Sequence, residues 1–407
     1  MGERQARPEG REPIGLVLAG GGARGAYEAG ILYYLYVAGP RALREQVRFE
    51  VLSGTSIGAL HVGALAAGMH QPERAVEQIL QLWRGLSLEQ LLQLQLRDFF
   101  GLSRWLLGRS GRESLFPGEP VAQLLDNAID WGRLRANLDA GHLRSISMSC
   151  TQVPTGKTVV FYETSDRKIM NFSRDPHVIA ERTRLGPKHA QASAAIPFIF
   201  PSVSIDGLPY SDGGLRQNTP LSPALRMGSE RLLVVSLAQE KKLGAPQPPR
   251  EWRRRLASPA FLLATVVNAL MLDRVDYDLI RLEHFNQILR EGSRSFGAPF
   301  VDRLNGVFEP LRGAGYREVP CMALRPSRDL GALAASYLTK QKRRSQPLMG
   351  RALRLLAHLE GREEADLCSY LLFEGNFCDQ VINLAIEDAH DQREALLRFF
   401  EGSSGGA

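Results

Sequence analysis

Apolar residues in this chain come in two patterns. The first is a short unbroken run, residues 14–19 (IGLVLA), which stops at three glycines, Gly20, Gly21 and Gly22. A run without polar alternation predicts a strand covered on both faces, as in a parallel sheet. Residues 23–39 then carry apolar side chains at helical spacing and predict a helix. A second strand is predicted over 47–52. It runs into Gly54-Thr55-Ser56-Ile57-Gly58 and a buried helix rich in alanine and leucine. Strand, glycine turn and helix, repeated, is the pattern of an α/β sheet.

The second pattern is helical and leucine-rich over 72–130. Strands follow at 145–152 and 157–163, and a helix is predicted over 178–195. A proline- and glycine-punctuated stretch of loop and short strand leads to Asp212-Gly213-Gly214, and a further strand covers 231–237. Residues 244–250 (GAPQPPR) read as a linker. Beyond them the chain is mainly helical, with a strand at 319–324 able to rejoin the sheet. The resulting division is a disordered N-terminus at 1–13, an α/β domain over 14–245, a helical region over 246–400 and a flexible tail at 401–407. No internal repeat is visible.

Composition narrows the class of protein. The 407 residues are 44% hydrophobic and 23% charged, which suits a globular chain with a sizeable core. A formal charge of +6 is mild over this length, although it favours anionic surfaces. The basic residues are scattered and form no stripe with aromatics, so nucleic acid is not an expected partner. Cys150, Cys321, Cys368 and Cys378 have neither zinc-site spacing nor the density of a disulfide scaffold, and read as reduced thiols. The charged start of the chain lacks a secretory signal's apolar core, and no apolar run is long enough to span a bilayer. A cytoplasmic protein is expected.

Gly54-Thr55-Ser56-Ile57-Gly58 is the strongest chemical signal. A G-x-S-x-G turn between a strand and a helix holds serine on a sharp bend. Gly54 and Gly58 are required there because side chains would strike the neighbouring strand and helix. The pattern alone is weak, arising by chance in about one chain in ten of this length at average glycine usage. A second copy at 402–406 lies in the polar tail without a strand or helix. Around Ser56 the flanking sequence supplies both.

The cluster Gly20-Gly21-Gly22-Ala23-Arg24-Gly25 fits a dinucleotide fingerprint. That reading needs an acidic residue at the end of the next strand, where Ser53-Gly54-Thr55 stands instead. A phosphate loop before Gly156-Lys157-Thr158 fails because Thr151 occupies its first glycine position. An oxyanion hole suits the cluster better, since consecutive glycines expose backbone N–H groups. Arg24 would add positive charge or anchor the loop. Asp212 beside two glycines reads as a turn or as a catalytic acid. His284, His358 and His390 follow it in charged, helical sequence rather than in loops after strands. His61 falls on another face of the helix that follows Ser56.

GGGARG, GTSIG and DGG in that order, with ASAAIPFIFPSV and NTPL, resemble the patatin-like phospholipase family over residues 14–237. The resemblance implies a three-layer α/β/α fold and a Ser–Asp dyad that works without histidine, metal or cofactor. Ser56 would be the nucleophile and Asp212 the base, with Gly213 and Gly214 in the acid motif. Gly20, Gly21, Gly22 and Arg24 would build the oxyanion site. Ala19 departs from the pattern, as many relatives carry an acid there. The implied activity is a phospholipase- or lysophospholipase-like serine esterase in lipid degradation, meeting its substrate at a membrane or micelle surface. Residues 91–109 and 252–272 are candidate amphipathic helices for that contact. A triad esterase using a late histidine and an inactive lipid-binding protein are the competing readings.

Overall fold

In the computed structural model, residues 12–87, 114, 118–165, 175–239, 275–312, 315–340 and 366–401 are described. The expected linker, both candidate amphipathic helices, His358 and the tail 402–407 lie outside them. The strands are β1 (Ile14–Leu18), β2 (Val51–Thr55), β3 (Ser145–Gln152), β4 (Lys157–Thr164), β5 (Val178–Arg182), β6 (Val203–Ile205), β7 (Leu208–Asp212), β8 (Arg231–Val235) and β9 (Cys321–Leu324). They form one mixed sheet in the order β5-β4-β3-β2-β1-β8-β9, with β6 and β7 as a hairpin paired to β3.

β1 and β2 sit at the centre because every residue in them is buried. Ile14, Leu16 and Leu18 face one core and Val17 the other. The first core packs α1 (Ala26–Tyr33), a single turn α2 (Arg41–Arg44), α3 (Ile57–Ala67), α4 (Pro72–Gly85), α5 (Glu119–Ala128), α6 (Trp131–Asp139) and α7 (Pro187–Ser193). α8 (Leu221–Arg226) and α9 (Val275–Phe296) cover the other face. Then come α10 (Pro299–Arg312), α11 (Leu330–Lys340), α12 (Asp366–Leu371), α13 (Gly375–Asp391) and α14 (Arg393–Glu401). The molecule is thus a three-layer α/β/α sandwich, with a helical C-terminal region whose α13 packs on α1.

Three local expectations are corrected. The helix expected over 178–195 is β5 followed by α7. The edge of the sheet recruits Val178, Ile179 and Ala180 through parallel pairing with β4, and Pro187 then starts the helix at its first turn. The second strand begins at Val51 rather than at 47, because its register is set by Gly15↔Val51 on β1 and Val51↔Ser145 on β3. The long helix over 23–39 divides into a 3₁₀ turn (Gly22–Gly25), α1 and a π-helical turn (Tyr34–Ala38).

The sheet also explains how residues 56 and 212 meet. β2 runs along β3 only as far as Thr55↔Ser149. At the next residue β7 takes over the same edge from the opposite direction, with Cys150↔Asp212. The ends of β2 and β7 therefore abut on one side of β3. Gly213 is needed at that junction, since a Cβ there would lie 2.1 Å from the Ser149 carbonyl oxygen.

Candidate active site

Ser56 lies between β2 and α3 with φ 54° and ψ −124°, an unfavourable region for a residue with a side chain. The bend is held by close packing. A Cβ on Gly58 would meet the Leu18 carbonyl oxygen at 2.4 Å, and one on Gly54 would meet the Gly58 oxygen at the same distance. Both positions therefore accept only glycine without backbone movement. Ser56 N–H donates to Ser193 Oγ (2.9 Å), and Ser193 Oγ–H donates to the Ser149 carbonyl (2.6 Å). Ser193 belongs to the ASAAIPFIFPSV segment, noted in the sequence as a pattern without a role.

Ser56 Oγ donates to Asp212 Oδ2 at 2.6 Å, and the Gly214 N–H donates to Asp212 Oδ1 at 2.7 Å. Asp212 is fully buried. Burial pushes its carboxyl up to about 7, against the opposing effect of the Ser56 and Gly214 hydrogen bonds, which favour the ionised form. A carboxyl poised near neutrality and hydrogen-bonded to a serine hydroxyl can accept its proton.

The glycine loop lies beside Ser56. A Cβ on Gly20 would come within 3.1 Å of Ser56 Cβ and 2.3 Å of Asn218 Oδ1. Gly20 is strapped to Asn218 by two hydrogen bonds, its N–H to the Asn218 carbonyl and its carbonyl to Asn218 Nδ2, both 3.0 Å. The Gly20 N–H is therefore engaged. Gly21 and Gly22 stand at the start of a 3₁₀ turn, where N–H groups have no partner within the helix. Asn218 belongs to the NTPL segment, noted in the sequence as a pattern without a role. Arg24 is buried, and its guanidinium engages Ser369 and Tyr370 rather than Ser56.

An apolar groove of about 1030 Å³, counting its open mouth, leads from Ser56. Ile57, Leu60, His61 and Ala64 line it along α3, Ile79 and Trp83 along α4, and Phe373 from the C-terminal region. Among the described residues, His61 is the only histidine on its wall. The Trp83 indole N–H donates to His61 Nε2 (2.8 Å), which places the imidazole proton on Nδ1, 2.7 Å from Glu28 Oε2. Burial holds His61 down at about 3, so it is neutral. Both ring nitrogens are taken, neither of them by Ser56. His284 and His390 are exposed, the latter against the Tyr34 hydroxyl at 3.3 Å. Among the described residues no cluster of metal-ligating side chains forms, and no helix is long and apolar enough to cross a membrane.

Comparison with known proteins adds a family. The sequence model of the patatin-like phospholipase family matches residues 16–225. An uncharacterized Escherichia coli protein, YjjU, is 26% identical over 245 residues, 60% of this chain and 56% of that protein. An uncharacterized NTE family protein of Mycobacterium tuberculosis is 26% identical over 270 residues, 64% of this chain and 60% of that protein. The chain thus covers less than two thirds of the length of these relatives. Among solved structures, human GIVD cytosolic phospholipase A2, bound to methyl gamma-linolenyl fluorophosphonate, is 14% identical. The match covers 96% of this chain and 59% of that one, with a TM-score of 0.41. VipD from Legionella pneumophila is also 14% identical, covering 92% and 67% with a TM-score of 0.30.

Proposed function

This chain belongs to the patatin-like phospholipase family, and on that premise we propose that it is a serine lipid acyl hydrolase using Ser56 and Asp212 as a dyad. The observation that carries the reading is the 2.6 Å hydrogen bond from Ser56 Oγ to a buried Asp212, at the head of an apolar groove.

In the first step Asp212 Oδ2 takes the hydroxyl proton as Ser56 Oγ attacks the ester carbonyl. The oxyanion is held by the Gly21 and Gly22 N–H groups. Collapse of the adduct breaks the ester C–O bond, and Asp212 returns the proton to the departing alkoxide. A water molecule then gives a proton to Asp212 and attacks the acyl-enzyme; collapse of the second adduct breaks the acyl C–O bond, Asp212 returns that proton to Ser56 Oγ, and the fatty acid is released. The groove takes the acyl chain, since its wall is apolar and both ring nitrogens of His61 are already hydrogen-bonded. The substrate class is a phospholipid, lysophospholipid or glyceride ester presented at a membrane or micelle surface.

The test uses an alkyl fluorophosphonate and a mixed lipid extract. Labelling at Ser56, with fatty-acid release lost in Ser56→Ala, is the expected result. Undiminished release by a folded Ser56→Ala protein would overturn the reading.

A further inference from the structure

A loop of three glycines has more backbone freedom than any other tripeptide, and oxyanion stabilisation fails when its donors shift by a fraction of an ångström. Something outside the loop must fix it. Asn218 holds Gly20 from one side. The other side is held by a segment some 345 residues downstream of Arg24, beyond the region that matches the family.

Arg24 Nε donates to Ser369 Oγ at 2.6 Å, and the guanidinium carbon lies 4.1 Å above the Tyr370 ring. One contact fixes the direction of the guanidinium and the other its plane. Ser369 and Tyr370 are buried, as is Arg24. Gly22, at φ +55°, packs so closely on the same turn that a Cβ would sit 2.3 Å from the Tyr370 carbonyl oxygen. The chain then continues as part of the groove. Leu371 and Phe373 line it, and the Phe373 ring stacks on Trp83 at 6.0 Å and 13°. Gly375 N–H closes the strap by donating to the Leu86 carbonyl at the end of α4 (2.9 Å).

We propose that Ser369 and Tyr370 are positioning residues for the oxyanion loop, acting through Arg24 and Gly22 to set where the Gly21 and Gly22 N–H groups point. The proposal rests on the reading of those groups as oxyanion donors. It makes the C-terminal helices a working part of the active site.

The experiment compares wild type with Ser369→Ala/Tyr370→Leu and with Tyr370→Phe, all as full-length chains. Active sites are counted by fluorophosphonate titration, and kcat and KM are measured on a p-nitrophenyl butyrate substrate. A merely structural role would lower the number of titratable sites and leave the rate per site alone. A positioning role lowers the rate per site. The expected result for the double variant is a loss of about 10- to 100-fold in kcat per titrated site with KM little changed, somewhat less than deleting a donor outright. Tyr370→Phe keeps the ring under Arg24 and removes the hydroxyl that accepts a 3.5 Å hydrogen bond from Arg24, so it should stay near wild type. A wild-type rate per site in the double variant, or an equal loss in Tyr370→Phe, would overturn the proposal. Should the double variant fail to fold, Ser369→Ala alone removes one hydroxyl and is read the same way. A wild-type protein that neither reacts with the probe nor turns over substrate would count against the hydrolase reading instead.

Discussion

Asp212 is asked to ionise while fully buried, and this has two consequences of opposite sign. With its carboxyl raised to about 7 by burial, the base form is lost below that pH. The rate constant kcat/KM should therefore fall roughly tenfold per unit beneath about pH 6 and level off above about 8. Stability should run the other way. A carboxyl whose folded value lies above its unfolded value favours folding while protonated, so its contribution is complete below the unfolded value of 3.8 and is lost as pH rises through 7. A shift of this size corresponds to on the order of 4 kcal/mol. Asp212→Asn should thus melt above wild type at pH 8, by a margin that shrinks towards pH 4, while its turnover drops by about 10² to 10⁴. Differential scanning calorimetry across that range checks the first half. An Asn variant less stable than wild type at pH 8 would show that the carboxylate is not under strain. Ser56 was legible in the sequence because both glycines of its turn are dictated by backbone collision. Asp212 beside two glycines reads in the sequence as a turn or as a catalytic acid, and the resemblance to the family is what favours the acid. Ser193 and Asn218 were not legible, since they meet Ser56 and Gly20 across 137 and 198 residues of chain.

At the scale of elements, α3 does two jobs with one face. Its first residue follows Ser56, and Ile57, Leu60, His61 and Ala64 continue as the groove wall. At about 1.5 Å per residue, Ala64 stands about 12 Å beyond Ser56 along the helix axis. Ala64→Phe should therefore obstruct long acyl chains and spare short ones. Across p-nitrophenyl esters of increasing length, kcat/KM is expected to fall at least tenfold for long chains and stay within twofold for butyrate. A uniform loss at every length would mean that the groove does not hold the chain. The Glu28–His61–Trp83 hydrogen bonds occupy both ring nitrogens of the histidine on this wall. Trp83→Phe leaves His61 Nε2 without its donor and should cost about 1–3 kcal/mol in a denaturant titration. Helices with strong amphipathic patterning, such as α4, were readable from spacing. β5 was not, because a short half-exposed segment takes its conformation from the neighbouring strand rather than from its own residues.

For the molecule as a whole, order along the chain and position in space diverge. β9 lies beside β8, α12 lies on the glycine loop, and α13 lies on α1 so closely that a Cβ on Gly30 would come within 2.6 Å of the Ile382 carbonyl oxygen. The Tyr27 hydroxyl donates to Asp388, and Arg231 reaches the Phe399 carbonyl. A single core contains residues from Ile14 to Phe400. The sheet's central strands and their layers could be read from the sequence because they depend on local patterning. The closure by the last helices could not, since nothing in α13 names α1 as its partner. The contact has a consequence for biosynthesis. All but one residue of α1 is buried, and the part of its surface that α13 packs on cannot be covered until α13 exists. While the ribosome makes the intervening 340 or so residues, this surface lacks its cover, and on the proposed reading the oxyanion loop lacks its support. Nascent chains arrested with residues 1–365 outside the exit tunnel should resist fluorophosphonate, and those arrested with residue 401 outside should accept it. Labelling of the shorter chains would show that the catalytic half assembles on its own.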